Sequence, residues 1–149
     1  DNVEMILSET GLPPSALMLE VTESVIAENI AASVQQMKRI RAMGVRFSLD
    51  DFGTGYSSLS YVRQLPIDEL KIDKSFVNTL LSDSETHSIV KIILLLADVL
   101  KLDVIAEGIE QEAQWQALLE LGCSGFQGYF FSRPQPPEDI FEKLQSSYQ

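Results

Sequence analysis

The chain has 149 residues and a formal net charge of −11, which argues against general binding to DNA or RNA, because nucleic-acid affinity depends on neutralising phosphates with basic residues. Hydrophobic residues make up 45% of the sequence, enough for an ordinary core, and the single cysteine, Cys123, excludes an internal disulfide bond and favours a reducing compartment. The richest apolar stretch, at 89–100, is interrupted by Lys91 and Asp98, so it is too short and too charged to span a membrane.

Apolar runs and helical patterns alternate along the chain. The second predicted helix carries apolar residues at near-helical spacing and stops at Gly44, while Gly11 and Gly122 stop two others. This alternation predicts an α/β fold with a parallel sheet in a single domain. Strands are predicted at 16–22, 45–50, 68–73, 103–107 and 124–130, and helices at 2–10, 28–43, 57–64, 84–100, 111–121 and 138–146.

Polar residues recur where the strand-like apolar runs end. They are Glu20, the pair Asp50 and Asp51, Lys71, Glu107 and Gln127. Functional groups gathered at the carboxyl-terminal ends of several parallel strands are typical of the active face of a (β/α)8 barrel. We therefore expect part of such a barrel, with these side chains on one face.

The most informative stretch is DDFGTGYSSL at 50–59. Neighbouring side chains of a strand point to opposite faces, so Asp50 and Asp51 can serve one site only if the strand ends or bulges there. Gly53 and Gly55 provide the backbone freedom for this. Uncompensated neighbouring carboxylates repel each other, which suggests a cation beside the pair. The alternative is an ordinary strand-to-helix turn in which Asp51 caps the next helix.

Five ordered motifs resemble those of the EAL family of cyclic di-GMP phosphodiesterases. The resemblance implies a TIM-like barrel enzyme that opens cyclic di-GMP to linear pGpG with two divalent cations, Mg²⁺ or Mn²⁺, in bacterial second-messenger signalling. The motifs are LEVTES at 19–24, DDFGTGYSSL at 50–59, LKIDKSF at 70–76, AEGIE at 106–110 and QGYFFSRP at 127–134.

Three carboxylates, Glu20, Asp50 and Asp51, match the family's metal-ligand positions, with Asp50 expected to bridge the cations. Hard divalent cations prefer carboxylate oxygens. Two cations about 3.5–4 Å apart can activate water and stabilise the anionic transition state of phosphodiester hydrolysis. The alternative for Glu20 is a surface residue at a strand end.

Lys71 and Glu107 match the family's catalytic positions. Lys71 would orient the attacking water or neutralise a phosphate oxygen, and Glu107 would act as general base or support a metal ligand. The alternatives are a salt bridge at the barrel rim for Lys71 and a helix-starting acid for Glu107. Gln127 matches a polar substrate-binding residue near the catalytic waters.

Other residues are expected to have supporting or structural roles. The resemblance implies that Glu23 anchors the DDFGTGYSSL loop and that Glu110 also supports the site. His87, the only histidine, is expected to be a solvated helix cap. Trp115 is expected in the core or at a helix-docking surface, and Cys123 is expected to be a buried thiol.

The family's Glu-Ala-Leu motif and a metal-binding asparagine are absent from this sequence. A complete barrel takes roughly 250 residues, so we interpret 1–149 as the C-terminal portion of a single EAL-type domain, with about five of the eight βα units. Alone, this portion should be poorly soluble or oligomeric and hydrolyse cyclic di-GMP slowly, because open sheet edges promote association.

Three functions are compatible with the motifs: an active phosphodiesterase, a degenerate receptor that binds cyclic di-GMP without cleaving it, and a dimerisation module. Every motif position that the chain covers carries the residue of active members, which favours the enzyme. For the complete protein the resemblance implies a homodimer, flanking sensory or GGDEF domains and a cytoplasmic catalytic domain, with membrane tethering only through other domains.

Overall fold

A five-stranded parallel sheet in the order β1-β2-β3-β4-β5 organises the residues that the computed structural model describes, which are 2–53 and 62–140. Each strand pairs in parallel with the next one along the chain, as predicted. The strands are β1 (Met18–Thr22), β2 (Arg46–Phe52), β3 (Glu69–Ile72), β4 (Asp103–Ala106) and β5 (Gly125–Phe126). The helices are α1 (Asn2–Thr10), α2 (Glu23–Glu28), α3 (Ile30–Arg41), α4 (Lys74–Thr79), α5 (Ser84–Leu100) and α6 (Glu112–Glu120), and a 3₁₀ turn covers Pro14–Ala16.

The middle of the sheet is buried on both faces. Consecutive residues of β2 at 47–49 and of β3 at 70–72 are all buried, although their side chains alternate between the two faces. Parallel strands covered on both sides show this pattern. Side chains at the centre of the sheet therefore sit in a confined, largely dry environment, and this includes the one lysine among them, Lys71.

Polar caps decide where several helices begin. The Asp83 carboxylate accepts hydrogen bonds from the backbone N–H groups of Glu85 and Thr86, at 3.0 and 3.2 Å, and starts α5. The side chain of Asn29 accepts from the Ala32 N–H at 3.1 Å and starts α3. Because Asn29 itself has a non-helical backbone, with φ of −155° and ψ of 82°, it separates α2 from α3. The single helix predicted at 28–43 is therefore wrong at its start, where the cap interrupts it.

Three further sequence predictions need correction. The helix α4 was not predicted; Asp73, assigned to the preceding strand, caps it by accepting from the Ser75 N–H at 2.9 Å. The last strand, predicted at 124–130, is only Gly125–Phe126, because the chain turns between Gly128 and Phe131. His87 is exposed as expected, but the cap of its helix is Asp83.

Two other structural predictions are confirmed. Cys123 is buried, and its burial raises the pKa of the thiol. Trp115 is half-buried and packs against the rings of Phe126, Phe130 and Phe131, with ring centroids 6.0 to 6.4 Å apart. Both residues therefore have the packing roles that the sequence indicated.

Some predicted segments lie outside the described residues. These are most of the helix at 57–64, most of the loop at 50–59 and the greater part of the final helix at 138–146, of which 138–140 is helical. In the part of the chain that is described, no helix combines the length and apolar character needed to cross a bilayer.

Substitution of Gly128 by alanine should destabilise the fold, because a Cβ there would lie 2.1 Å from the backbone oxygen of Ile109. We expect a loss of about 2 kcal/mol or more in unfolding free energy. Gly11→Ala is the matched control: no atom lies within 4 Å of its Cβ position, so only its positive φ adds a cost of about 1 kcal/mol. Urea unfolding followed by Trp115 fluorescence measures both, and equal losses would contradict the packing argument.

Candidate functional site

The buried ammonium group of Lys71 gathers three carboxylates from different strands. Its Nζ lies 2.6 Å from Glu107 Oε1, 2.8 Å from Glu20 Oε1 and 3.8 Å from Asp50 Oδ1. The Lys71 side chain is 5% exposed, whereas Glu20 is 55% exposed and the other two carboxylates are about one-fifth exposed. We call these four side chains the Lys71 cluster. It lies where a buried cation meets carboxylates that remain open to solvent.

Parallel strand geometry explains why distant residues meet here. Glu20 and Asp50 lie two residues before the ends of β1 and β2, Lys71 lies one residue before the end of β3, and Glu107 follows β4 directly. Because the strands are parallel and in sequence order, these positions share one edge of the sheet. The predicted convergence of these four residues is confirmed, although their chemical roles remain predictions.

The environment of Lys71 keeps it charged. Burial by itself would lower the pKa of its ammonium group, but the hydrogen bonds to Glu107 and Glu20, together with the attraction of Glu107 and Asp50, raise that pKa above its ordinary value of 10.5. Lys71 is therefore a fixed positive charge at neutral pH rather than a proton donor. The salt-bridge alternative from the sequence is thus present, but at a carboxylate cluster rather than as an isolated pair.

The strand β2 is distorted where the two aspartates follow each other. Its register with β3 shifts between Leu49 and Phe52, and Asp51 has a left-handed backbone with φ of 57°. This confirms the expected bulge. The Asp51 N–H donates to Asp50 Oδ1 at 3.0 Å. Burial, followed by repulsion from Asp50 and Asp73, raises the pKa of Asp51. The mutual repulsion of the carboxylates at this position is what a bound cation would relieve.

The carboxylates suit a hard divalent cation. Glu20, Asp50, Asp51 and Glu107 carry four negative charges against the single charge of Lys71, and their oxygens are the donors that Mg²⁺ and Mn²⁺ prefer. Among the described residues, however, no three such side chains already stand in metal-binding positions. The donor chemistry fits the cation, and Lys71 occupies the space between the donors.

A cavity of about 690 Å³ opens beside the Lys71 cluster. Glu107 belongs to both the cluster and the cavity wall, and Gln127 lies on the same wall, so the predicted fifth site residue adjoins the others. Glu110, expected to support the site from outside, is exposed and lines this cavity too. The remaining wall includes Lys74 and residues at 128–135.

Sequence reasoning missed part of this wall. Lys74 and Arg133 line the cavity, although neither was selected from the sequence. The signal was present, because Lys74 lies in LKIDKSF and Arg133 in QGYFFSRP. Glu23 is buried, at 6% exposure, and it takes part in an interaction. Its predicted contact with the loop at 54–59 lies outside the described residues.

The family model of the EAL domain matches residues 1–134. The chain therefore belongs to the EAL domain family. MucR of Pseudomonas aeruginosa, a bifunctional diguanylate cyclase/cyclic di-GMP phosphodiesterase, is 47% identical over 144 residues, which cover 97% of this chain and 21% of MucR. The chain spans about a fifth of the length of the first curated relatives that it matches.

Solved structures agree with this membership. The PaMucR phosphodiesterase in complex with c-di-GMP superimposes with a TM-score of 0.89 at 47% identity, covering 93% of this chain and 56% of that one. Klebsiella pneumoniae BlrP1, in a complex with manganese and cyclic di-GMP, superimposes with a TM-score of 0.84 at 31% identity, covering 90% of this chain and 35% of that one. Together with the parallel sheet, these matches confirm the predicted partial (β/α)8 barrel.

Replacing Lys71 by methionine should destabilise the protein, because three carboxylates would then face each other without a cation. We expect a loss of about 1–3 kcal/mol in unfolding free energy at pH 7, the range for hydrogen bonds to charged groups. Since the pKa of Lys71 is raised, its contribution is fully present below the ordinary lysine value and is lost only as the pH rises through the raised one. The difference between the two proteins should thus stay constant from about pH 6 to pH 9.

The matched control is Lys101→Met. Lys101 pairs with Asp98 at 3.1 Å, but both side chains are at least three-quarters exposed, so this pair should contribute little. Urea unfolding of the two variants at several pH values makes the comparison. A Lys71→Met variant as stable as the control would contradict the role of Lys71 in holding the cluster.

Proposed function

We propose that this chain is the catalytic part of a metal-dependent phosphodiesterase that hydrolyses cyclic di-GMP to linear pGpG. The observation that carries the proposal is the Lys71 cluster, in which Glu20, Asp50, Lys71 and Glu107 share one sheet edge. The similarity to the PaMucR phosphodiesterase in its complex with c-di-GMP supports the choice of substrate.

The charges of the cluster favour hydrolysis of a phosphodiester. In the reaction, the oxygen of a water attacks phosphorus, and the bond from phosphorus to the 3′-oxygen breaks, which leaves a 5′-phosphate on pGpG. Glu107, which lies beside Lys71, accepts the proton of the attacking water, and the 3′-oxygen takes up a proton from solvent as it leaves. The ammonium of Lys71 orients the water and offsets negative charge on the phosphate.

Glu20, Asp50 and Asp51 would hold the divalent cations, with Asp50 shared between them. We propose Mg²⁺ or Mn²⁺ and two cations in the complete site, which is supported by the oxygen donor set and by the manganese in the BlrP1 complex. When bound, such cations lower the pKa of a coordinated water and neutralise phosphate charge. Gln127 would contact the substrate from the adjoining cavity wall.

The relatives support a proposal for the complete protein. We propose that residues 1–149 are the C-terminal portion of a single EAL domain in a longer cytoplasmic protein with flanking sensory or GGDEF domains. The support is that MucR is bifunctional and much longer than the matched segment. Glu23 and Glu110 would then support the site, Glu23 through the DDFGTGYSSL loop.

Asp50→Asn in the full-length protein should lower the rate of cyclic di-GMP hydrolysis by about 100-fold or more, because it removes a charged ligand while keeping its shape. Asp103→Asn is the matched control, since Asp103 is exposed and begins β4 at the opposite end of the sheet. Product formation is measured by chromatography at saturating Mg²⁺.

Two outcomes would contradict the proposal. Retained turnover in Asp50→Asn would remove Asp50 from the metal site. Wild-type protein that binds cyclic di-GMP but forms no pGpG would instead identify the receptor alternative.

We also propose that the complete protein is a homodimer and that α5 forms the contact. Its residues Ile92, Leu95 and Val99 are 64%, 64% and 69% exposed, and their spacing puts them on one face. A contiguous apolar stripe of this kind marks an interaction surface. A second copy presents the same stripe, so a twofold axis matches the two surfaces directly.

The other side of α5 points toward the site. A Cβ at Gly53 would lie 3.1 Å from the Phe76 ring on α4 and 3.7 Å from Ile93 Cδ1 on α5, so the backbone that follows Asp50 and Asp51 packs near both helices. Association through α5 would therefore fix the position of the two aspartates. We therefore propose that the DDFGTGYSSL loop couples the site to a partner surface.

Leu95→Glu in the full-length protein should convert dimers to monomers, because it places a charge within the apolar stripe. Leu119→Glu is the matched control: Leu119 is 44% exposed but lies on α6. Light scattering after size-exclusion chromatography measures the mass of each variant. A dimer that survives Leu95→Glu would show that α5 is not the contact.

A further inference from the structure

The cavity beside the Lys71 cluster contains two basic residues that the proposed reaction does not use. The chain has 11 lysines and arginines against 22 acidic residues, yet Lys74 and Arg133 both line this cavity. The acidic residues on the wall are Glu107, which is already paired with Lys71, and Glu110. The cavity is thus locally less negative than the rest of the chain and can accept an anion.

The Cβ of Lys74 is closely packed, whereas its ammonium group forms no ion pair within the described residues. Gly108 passes so close that a Cβ there would lie 2.5 Å from Lys74 Cβ, which fixes where the side chain starts. Within the described residues Lys74 forms no ion pair inside 4.0 Å, although Asp51 and Asp73 attract it. Lys74 is exposed and lines the cavity, so its ammonium group is available to a ligand.

Arg133 is positioned by an aromatic ring. Its guanidinium carbon lies 4.8 Å from the centroid of Tyr129, a distance typical of a cation–π contact. Such a contact orients the planar group without using its N–H donors, and Arg133 forms no ion pair within the described part of the chain. The donors remain available for two parallel hydrogen bonds to an anionic oxygen pair, the geometry that suits a phosphate.

We propose that Lys74 and Arg133 bind the second, non-reacting phosphodiester of a cyclic dinucleotide, and so act as specificity-determining residues. This inference rests on the proposed function. A cyclic dinucleotide has two phosphodiesters, and when one lies at the Lys71 cluster the other must lie away from it. Since Glu107 belongs to both the cluster and the cavity, a ligand that reaches the cluster extends directly into the cavity.

The cavity volume and the charge of the chain both support this assignment. A volume of about 690 Å³ lies within the range of small-ligand sites. A chain with a net charge of −11 repels a dianionic ligand unless cations face each phosphate. Lys71 faces the reacting phosphate, while Lys74 and Arg133 face the other. Substrates with a single phosphodiester would not use the second pair.

The test compares two substrates in the full-length protein at saturating Mg²⁺: cyclic di-GMP and bis(4-nitrophenyl) phosphate, which has one phosphodiester. Lys74→Met and Arg133→Met each remove a charge while keeping much of the side-chain length, and Lys38→Met on α3 is the matched control. Each cavity variant should raise the KM for cyclic di-GMP about tenfold, with kcat changed much less. The rise should be at least fivefold smaller for the single phosphodiester. Lys74→Arg should restore most of the affinity.

Two results would overturn the inference: an unchanged KM for cyclic di-GMP in both cavity variants, or an equal rise for both substrates. If the wild type hydrolyses neither substrate, the proposed function is wrong, and the dissociation constant for cyclic di-GMP in Ca²⁺ decides the inference instead. Binding about tenfold weaker in Lys74→Met and Arg133→Met than in Lys38→Met would support it. Equal binding in all three, or no binding by the wild type, would overturn it.

Discussion

A buried ammonium group surrounded by partly exposed carboxylates is the interaction on which the site depends. Lys71 is almost fully buried in the middle of the sheet, and a lone buried charge there would be strongly unfavourable. The carboxylates of Glu20, Asp50 and Glu107 compensate this positive charge. The ammonium group of Lys71 also reduces the repulsion among the three carboxylates. Each partner comes from a different strand or strand end, so the cluster also fixes how the strands meet. Folding and the arrangement of charge are therefore coupled in the same four side chains.

The two ends of the parallel strands differ in their interactions: the amino-terminal end holds a structural ion pair, and the carboxyl-terminal end holds the Lys71 cluster. At the amino-terminal edge, Asp68 accepts from the Phe47 N–H at 3.0 Å and pairs with Arg41 at 2.7 Å, which ties β2, β3 and α3 together. At the carboxyl-terminal edge, carboxylates outnumber their cation and the backbone at Asp51 is left-handed. The first edge contains a closed ion pair, whereas the second retains an excess of negative charge around its one cation. Such an excess of negative charge is typical of a site that binds a cation together with its ligand.

The site is also connected to the outside of the barrel in two directions. Through Glu107 the cluster adjoins the cavity with Lys74 and Arg133, so the cluster and the cavity share one residue. Through Gly53 the backbone after the bulge packs near Phe76 of α4 and Ile93 of α5, and the opposite face of α5 is exposed and apolar. A single short segment of β2 therefore lies between the carboxylates and a surface suited to a partner. Association of two copies through α5, as proposed above, would therefore act on the position of the carboxylates.

The sequence by itself determined the strand order, the parallel pairing and the residues of the cluster. Apolar runs followed by Glu20, Asp50, Lys71 and Glu107 were sufficient, because parallel strands in sequence order must bring their carboxyl ends to one edge. It also determined α5 at 84–100, which has a strong apolar pattern and the Asp83 cap directly before it. These features depend on local pattern and on strand direction, and both can be read along the chain.

The tertiary structure alone decided the remaining features. The short length of β5 goes with the turn between Gly128 and Phe131, where Gly128 packs against the backbone of Ile109, and local preference contains no information about such a contact. The roles of Lys74 and Arg133 depend on the cavity that they share, although 59 positions separate them in the sequence. Nor could the sequence show that Lys71 is buried and lies nearer to Glu107 and Glu20 than to Asp50. Those distances follow from the twist and packing of the sheet, which sum many contacts between residues far apart in the chain.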